Sequence, residues 1–194
     1  MDEQWRLFAA IELPEPVRER IGQEIERLRR LGWQAKWVNP EGSHLTIKFY
    51  GSIPLQALSR LQDALRTGLS DLPAFSIETA GAGVFPHPGR PRVLWLGVGG
   101  EVEALARLQR RVEELSLELG FPLEERPYHP HLTLARFRPE DLPSLRGLER
   151  QLQRLAALPP IAIPVRALTL YRSELRRTGA VYSVVDTFAL EAGR

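Results

Sequence analysis

Apolar side chains at Trp5, Leu7, Ala9 and Ile11 alternate with Arg6, Phe8 and Ala10, the period of two that marks a strand, here a largely buried one. After Pro14 and Pro16 the period lengthens. Val17, Ile21, Ile25 and Leu28 recur at helical spacing, and Gly32 stands where a helix-closing glycine belongs. The alternation then predicts strands over 35–38 and 44–50 and a second helix over 55–69. Segments 74–85 and 92–98 read as two strands joined by the turn His87-Pro88-Gly89-Arg90-Pro91. Val102, Leu105, Leu108, Val112, Leu115 and Leu119 mark a third amphipathic helix that Gly120 can close. A strand over 131–137, a helix over 142–155 and strands over 161–171 and 180–190 complete the pattern.

Helices and strands mix without strict alternation, which predicts an α+β fold with antiparallel sheets. No linker or low-complexity stretch divides the 194 residues, so residues 1–194 are expected to form a single two-lobed domain. A chain of this size buries roughly 70% of the surface its unfolded form exposes. One echo runs through it: His44-Leu45-Thr46-Ile47 in the first half and His131-Leu132-Thr133-Leu134 in the second. Each follows a helix of similar character, as duplication of a strand–helix–strand lobe would arrange.

Residues i and i+2 of a strand share a face. His44 and Thr46 therefore point one way and Leu45 and Ile47 the other, and His131 and Thr133 stand likewise against Leu132 and Leu134. Brought together by pseudo-symmetry, the two strands would present two imidazoles and two hydroxyls to one cavity. That set suits phosphodiester chemistry. One imidazole can take a proton from an attacking water while the other protonates the departing ribose oxygen, since the unperturbed imidazole pKa lies near 6.5. The hydroxyls can donate hydrogen bonds to non-bridging phosphate oxygens. A lone His-x-Thr is weak evidence for any of this; the pair, one copy per half, carries the inference.

Composition mostly excludes. The chain has no cysteine, so disulfides and thiolate metal sites are ruled out, in keeping with a reducing cytoplasm. No apolar run is long enough for a membrane span and the charged start carries no signal-like segment, so an untargeted, cytoplasmic protein is expected. A net charge of +2 is too mild to identify a nucleic-acid binder. Nearly all the basic residues are arginines, Lys36 and Lys48 being the two lysines. Scarce Asn, Met and Cys with many prolines fit heat adaptation and a GC-rich genome equally well. His129-Pro130-His131 has no carboxylate or third histidine at a zinc-site spacing, so no metal is expected, and no cofactor either. Gly81-Ala82-Gly83 lacks the rest of a phosphate-loop fingerprint and reads as a turn or bulge. No nucleotide-binding loop or Lys-x-Asp-Gly motif is present, which argues against an ATP-dependent ligase.

The motifs resemble those of the two-histidine phosphoesterase superfamily, in the branch of bacterial and archaeal 2′-5′ RNA ligases. The resemblance runs nearly end to end. It includes residues 6–14 (Arg6 to Pro14), 44–51 (His44 to Gly51), Gly83-Val84-Phe85-Pro86, 91–95 (Pro91 to Trp95), 130–136 (Pro130 to Arg136), Leu170-Tyr171-Arg172-Ser173 and Gly179-Ala180-Val181-Tyr182. Tyr50 stands where leucine is commoner. The resemblance implies two pseudo-symmetric lobes with antiparallel sheets lining a central cleft and helices outside. It implies hydrolysis of RNA 2′,3′-cyclic phosphates to 2′-phosphomonoesters, with weak reverse joining of tRNA halves through a 2′-5′ bond. By analogy His131 is the proton acceptor and His44 the proton donor. Arg136 is expected to contact the phosphate alongside Thr46 and Thr133, although its parity in a regular strand is opposite to that of His131. A bulge or the strand's end would have to re-aim it.

Two further residues are candidates for the cleft. Lys48 shares parity with His44 and Thr46 and can line the cleft, or else stand solvated at the strand's end; Phe8 in the first strand can stack on a base, although core packing is the commoner role for a phenylalanine there. Other substrates use the same four side chains: a cyclic ADP-ribose phosphate or a 2′-5′-linked oligonucleotide. A non-catalytic module that binds tRNA ends is a third reading, against which the intact His and Thr of both motifs speak. No apolar seam demands an oligomer, so a monomer is expected.

Overall fold

The alternating segments assemble as two antiparallel sheets in the computed structural model, which describes residues 3–176 and 179–191. Asp2, part of the charged start of the chain, lies outside the described residues. The first sheet contains β1 (Gln4–Glu12), β3 (His44–Pro54), β8 (Ala167–Arg176) and β9 (Gly179–Ala189), in the order β3-β1-β8-β9. The second contains β2 (Lys36–Trp37), β4 (Phe75–Phe85), β5 (Val93–Gly100), β6 (His131–Arg136) and β7 (Ala162–Val165), in the order β2-β6-β5-β4-β7. Four helices cover them: α1 (Glu15–Arg30), α2 (Leu58–Leu69), α3 (Val102–Glu118) and α4 (Leu148–Ala156).

The helices form where the apolar stripes predicted them. Val17, Ile21, Ile25 and Leu28 are buried along α1, and Leu105, Leu108 and Val112 along α3. Both helices are followed by a glycine in the left-handed region, Gly32 at φ 83° and Gly120 at φ 86°, a conformation a Cβ disfavours. α1 is tied to α4 by Arg154, which donates to Glu24 at 2.6 Å, and by Arg27, which donates to Gln151 at 2.6 Å as well as to Glu24 of its own helix at 2.8 Å. α4 itself packs on β4. α3 packs on β3 of the first sheet.

Three segments depart from the predicted elements. The helix expected over 142–155 begins only at Leu148, because a 3-10 turn (Pro139–Ser144) with Pro143 inside it takes up the first residues and Gly147 adopts φ 70°. The strand expected over 161–171 is two strands, β7 and β8, in different sheets; the alternation runs unbroken through Arg166 although the chain changes sheet there. Pro164 sits on β7, the edge strand, where its missing N–H costs no ladder bond. The strand expected over 35–38 is reduced to the two residues of β2.

The two motif strands meet at the seam. β3 is the edge of the first sheet, β6 is covered by β2 only at Ala135 and Arg136, and the two strands touch each other. From the segment preceding β6, Tyr128 donates its hydroxyl to the Thr46 carbonyl at 3.0 Å.

Candidate active site

His44 opens β3 and His131 opens β6, so each imidazole stands at the start of a strand whose next residue is fully buried, Leu45 and Leu132. Both rings are held in the same way. Nδ1 of His44 donates to the Gly42 carbonyl at 2.9 Å, and Nδ1 of His131 donates to the His129 carbonyl at 2.8 Å. With Nδ1 engaged by a carbonyl two residues back, the proton of the neutral ring is placed there. Nε2 is then the basic atom of each ring.

The walls are aromatic. Phe8 lies 4.6 Å from the His44 ring centroid and 5.1 Å from those of Tyr171 and Tyr182. Tyr171 also donates its hydroxyl to Glu12 at 2.9 Å, and Glu12 is the cross-strand neighbour of His44. In the other sheet Phe85 stands edge-on to His131 at 5.0 Å and to His129 at 5.2 Å, beside Trp95. Trp95 lies over Gly83, where a Cβ would overlap the indole. Gly81 and Gly83 thus serve a bulge opposite β5 and a close approach, as a turn-or-bulge reading of the glycines requires.

Burial lowers the pKa of both histidines. For His44 the Gly42 carbonyl bond offsets part of that. For His131 the His129 carbonyl bond does the same, while the positive charges of His129 and Arg136 add to the lowering. His131 is therefore the ring whose surroundings hold it neutral by charge as well as by burial.

Irregularities in the two strands decide which downstream residues join the histidines. In β3, Thr46 pairs with Ala10 and Lys48 with Ala9, so Ile47 is bulged out of register. In β6, Thr133 pairs with Trp95 and Ala135 with Leu94, so Leu134 is bulged. A bulge shifts the alternation by one. Arg136 is thereby returned to the face of His131 and Thr133, opposite Val93 and Lys36, and is exposed there.

The same device removes Lys48 from the cleft. Its side chain is 2% exposed and turns to the helix side, where Nζ donates to Glu113 at 2.6 Å and to the Pro122 carbonyl at 3.0 Å. The expected cleft lysine is a buried structural ion pair. Phe8 does face the cleft side, but it is 3% exposed beneath His44 and cannot offer its face to a base. In place of both, the first bulge brings Phe49 to the face of Thr46. Phe49 is 40% exposed, with the Arg6 guanidinium 4.6 Å from its ring centroid. Neither Phe49 nor Lys36 stands out in the linear sequence as a site residue. Superposing the two motifs would have pointed to Phe49, which stands as far after His44 as Arg136 does after His131.

An open cavity of about 620 Å³ between the 88–91 turn and α4 is lined by Pro88, Pro91, Leu145, Leu148 and Arg150 and contains none of these residues. Among the described residues no group of three or more His, Asp or Glu is arranged to hold a metal ion. None of the described helices is long and apolar enough to cross a membrane.

The profile of the 2′-5′ RNA ligase superfamily matches residues 14–177. This chain belongs to that superfamily. A relative from Methanothermobacter thermautotrophicus, an RNA 2′,3′-cyclic phosphodiesterase, is 35% identical over 95% of this chain and 98% of its own. Among solved structures of the superfamily's fold, TT0787 of Thermus thermophilus superposes with a TM-score of 0.76 at 30% identity, covering 97% of this chain and all of that one. Escherichia coli LigT, solved in complex with 3′-AMP, superposes with a TM-score of 0.72 at 26% identity, covering 97% of this chain and 99% of its own. Both structures share the α+β architecture of two antiparallel sheets with covering helices described above.

Proposed function

We propose that this chain is an RNA 2′,3′-cyclic phosphodiesterase whose single two-lobed domain supplies one histidine from each lobe. The observation that carries the reading is the matched pair of Nδ1-tethered imidazoles at the starts of two touching strands. The full-length similarity to relatives of that activity supports it.

In this reading a water oxygen attacks the cyclic phosphorus while Nε2 of neutral His131 takes its proton. The P–O3′ bond breaks and Nε2 of protonated His44 gives its proton to the departing O3′, leaving a 2′-phosphomonoester. The charges around His131 favour the neutral acceptor and so support the assignment of roles. Thr46 and Thr133 donate hydroxyl hydrogen bonds to the non-bridging oxygens, and Arg136 adds a cation on the same face as His131. Phe49 offers the terminal base a ring face. No step calls on a metal or cofactor. The substrate class is RNA ends such as tRNA halves, and the setting is a cytoplasmic monomer.

The test is an assay of an oligoribonucleotide ending in a 2′,3′-cyclic phosphate, in excess EDTA, with the product's phosphate position determined. A 2′-phosphate is expected, and either histidine replaced by alanine should cost about 10²–10⁴ in rate. Activity only on addition of a divalent ion, or a 3′-phosphate product, would overturn the proposal.

A further inference from the structure

Lys36 lies in β2 directly across from Arg136 in β6. Cross-strand partners project to the same face, so Lys36 shares the face that the Leu134 bulge gives to Arg136, that of His131 and Thr133. Both cations are exposed. Like charges directly opposite each other destabilise a sheet. Among the described residues no carboxylate relieves this pair, since neither residue takes part in an ion pair. An anion on that face is what such a pair accommodates.

The spacing separates this place from the reacting phosphate. Arg136 stands two ladder positions from Thr133, roughly 7 Å along the strand, and Lys36 is one strand spacing of about 5 Å beyond it. Arg136 can reach towards the hydroxyl of Thr133, whereas Lys36 lies in the neighbouring strand, beside Arg136 and further from Thr133. A cyclic phosphate at an RNA end has a second phosphate close by: the phosphodiester on the 5′ side of the same nucleoside.

We propose that Lys36, beside Arg136, forms a second anion subsite that holds this 5′ phosphate, so that the enzyme prefers RNA ends to cyclic mononucleotides. The inference rests on the phosphodiesterase reading and adds to it a selectivity for length. Lysine on an edge strand has a plainer use, keeping the edge from pairing with other chains. That use would be indifferent to the substrate.

Three substrates separate the cases: adenosine 2′,3′-cyclic phosphate, the same nucleotide bearing a 5′-phosphate, and the dinucleotide ApA with a 2′,3′-cyclic phosphate end. The wild type should favour the second and third over the first by about tenfold or more in kcat/KM, the scale of a charge-assisted contact. Lys36→Gln should bring that ratio towards one, and Lys36→Arg should keep it. In Lys36→Gln the salt dependence of kcat/KM for the dinucleotide should also flatten, by a slope of about 0.7, the value for a single phosphate on a single strand. The subsite is overturned if the wild type opens all three equally, if only the dinucleotide is favoured, or if Lys36→Gln lowers all three alike. Failure of the wild type on every substrate would instead remove the phosphodiesterase reading, and the subsite with it.

Discussion

Phe49 and Arg136 hold the same place in the two halves of the fold. Each follows its motif histidine by five residues, and each is turned to the histidine face by one bulged residue, Ile47 or Leu134. One half sets an aromatic ring where the other sets a cation. A phosphate bound between the histidines would have a charge partner on one side and a platform for the base on the other. Phe49→Ala is expected to raise KM for cyclic-phosphate RNA by the equivalent of about 1–3 kcal/mol, the scale of base–aromatic stacking. Phe49→Tyr should preserve it. Steady-state kinetics on both variants tests this, and an unchanged KM in the alanine variant would place the base elsewhere.

The two lowered histidines make a pH prediction with a definite sign. In the free enzyme both rings titrate below the ordinary 6.5. The donor must be protonated and is lost as pH rises, so the alkaline limb of kcat/KM should begin below 6.5. A phosphate anion between the rings favours their protonated forms, so the alkaline limb of kcat should lie at higher pH than that of kcat/KM. Replacing Arg136 by glutamine removes a positive charge beside His131 and should move the acid limb upward. A pH profile reports macroscopic values for an acid–base pair, so the measurement is the full profile at constant ionic strength for each variant. A kcat/KM profile that rises through pH 8 would contradict this scheme.

Lys48 and Glu113 should matter to stability and not to chemistry. Their 2.6 Å contact is buried between β3 and α3. Removing either partner leaves a charge uncompensated there, an expected loss of about 3–5 kcal/mol in urea unfolding. Replacing both together, Lys48→Met with Glu113→Leu, should recover most of that loss while leaving kcat and KM near the wild-type values. A double variant that is stable and inactive would return Lys48 to the cleft.

Gly83→Ala should damage the His131 wall from behind. The added methyl would overlap the Trp95 indole, which packs against Phe85 and His129. Overpacking of this kind costs typically about 1–3 kcal/mol. Activity should fall further than stability explains when assayed well below the variant's melting temperature, because the displaced rings are those that flank His131. A loss of activity that tracks unfolding alone would reduce Gly83 to a packing role.

The histidines and threonines were legible because strand parity needs only residues i and i+2, and no bulge falls inside either triplet. Beyond Thr46 and Thr133 the same rule failed in opposite directions, placing Lys48 in the cleft and leaving Arg136 facing away from it. Ile47 and Leu134 are apolar and buried either way, so nothing in the hydrophobic pattern marks them as bulged. Only pairing with Ala9 and Ala10 on one side, and with Leu94 and Trp95 on the other, reveals it. The change of sheet at Arg166 escaped for a similar reason, since alternation is a property of each strand and carries no label for its sheet. Phe8 lies on the histidine face as a stacking role would need, but its place in the first strand says nothing about what lies on top of it. Lys36 could not be found without knowing that β2 borders Arg136.

The twin tethers of His44 and His131 have a last consequence. Running a reaction backwards requires the proton donor and acceptor to exchange duties. Here each ring is anchored through the same nitrogen to a carbonyl two residues earlier, leaving the same atom to do the work. Neither imidazole is built as an acid or a base by its anchoring; only the neighbouring charges tilt the balance. A site of that kind has no intrinsic direction. Water and a ribose 5′-hydroxyl would both open the cyclic phosphate by the same proton transfers, so whether such a site hydrolyses an RNA end or joins two of them, or runs either step in reverse, would be decided by which molecules occupy it and at what concentration.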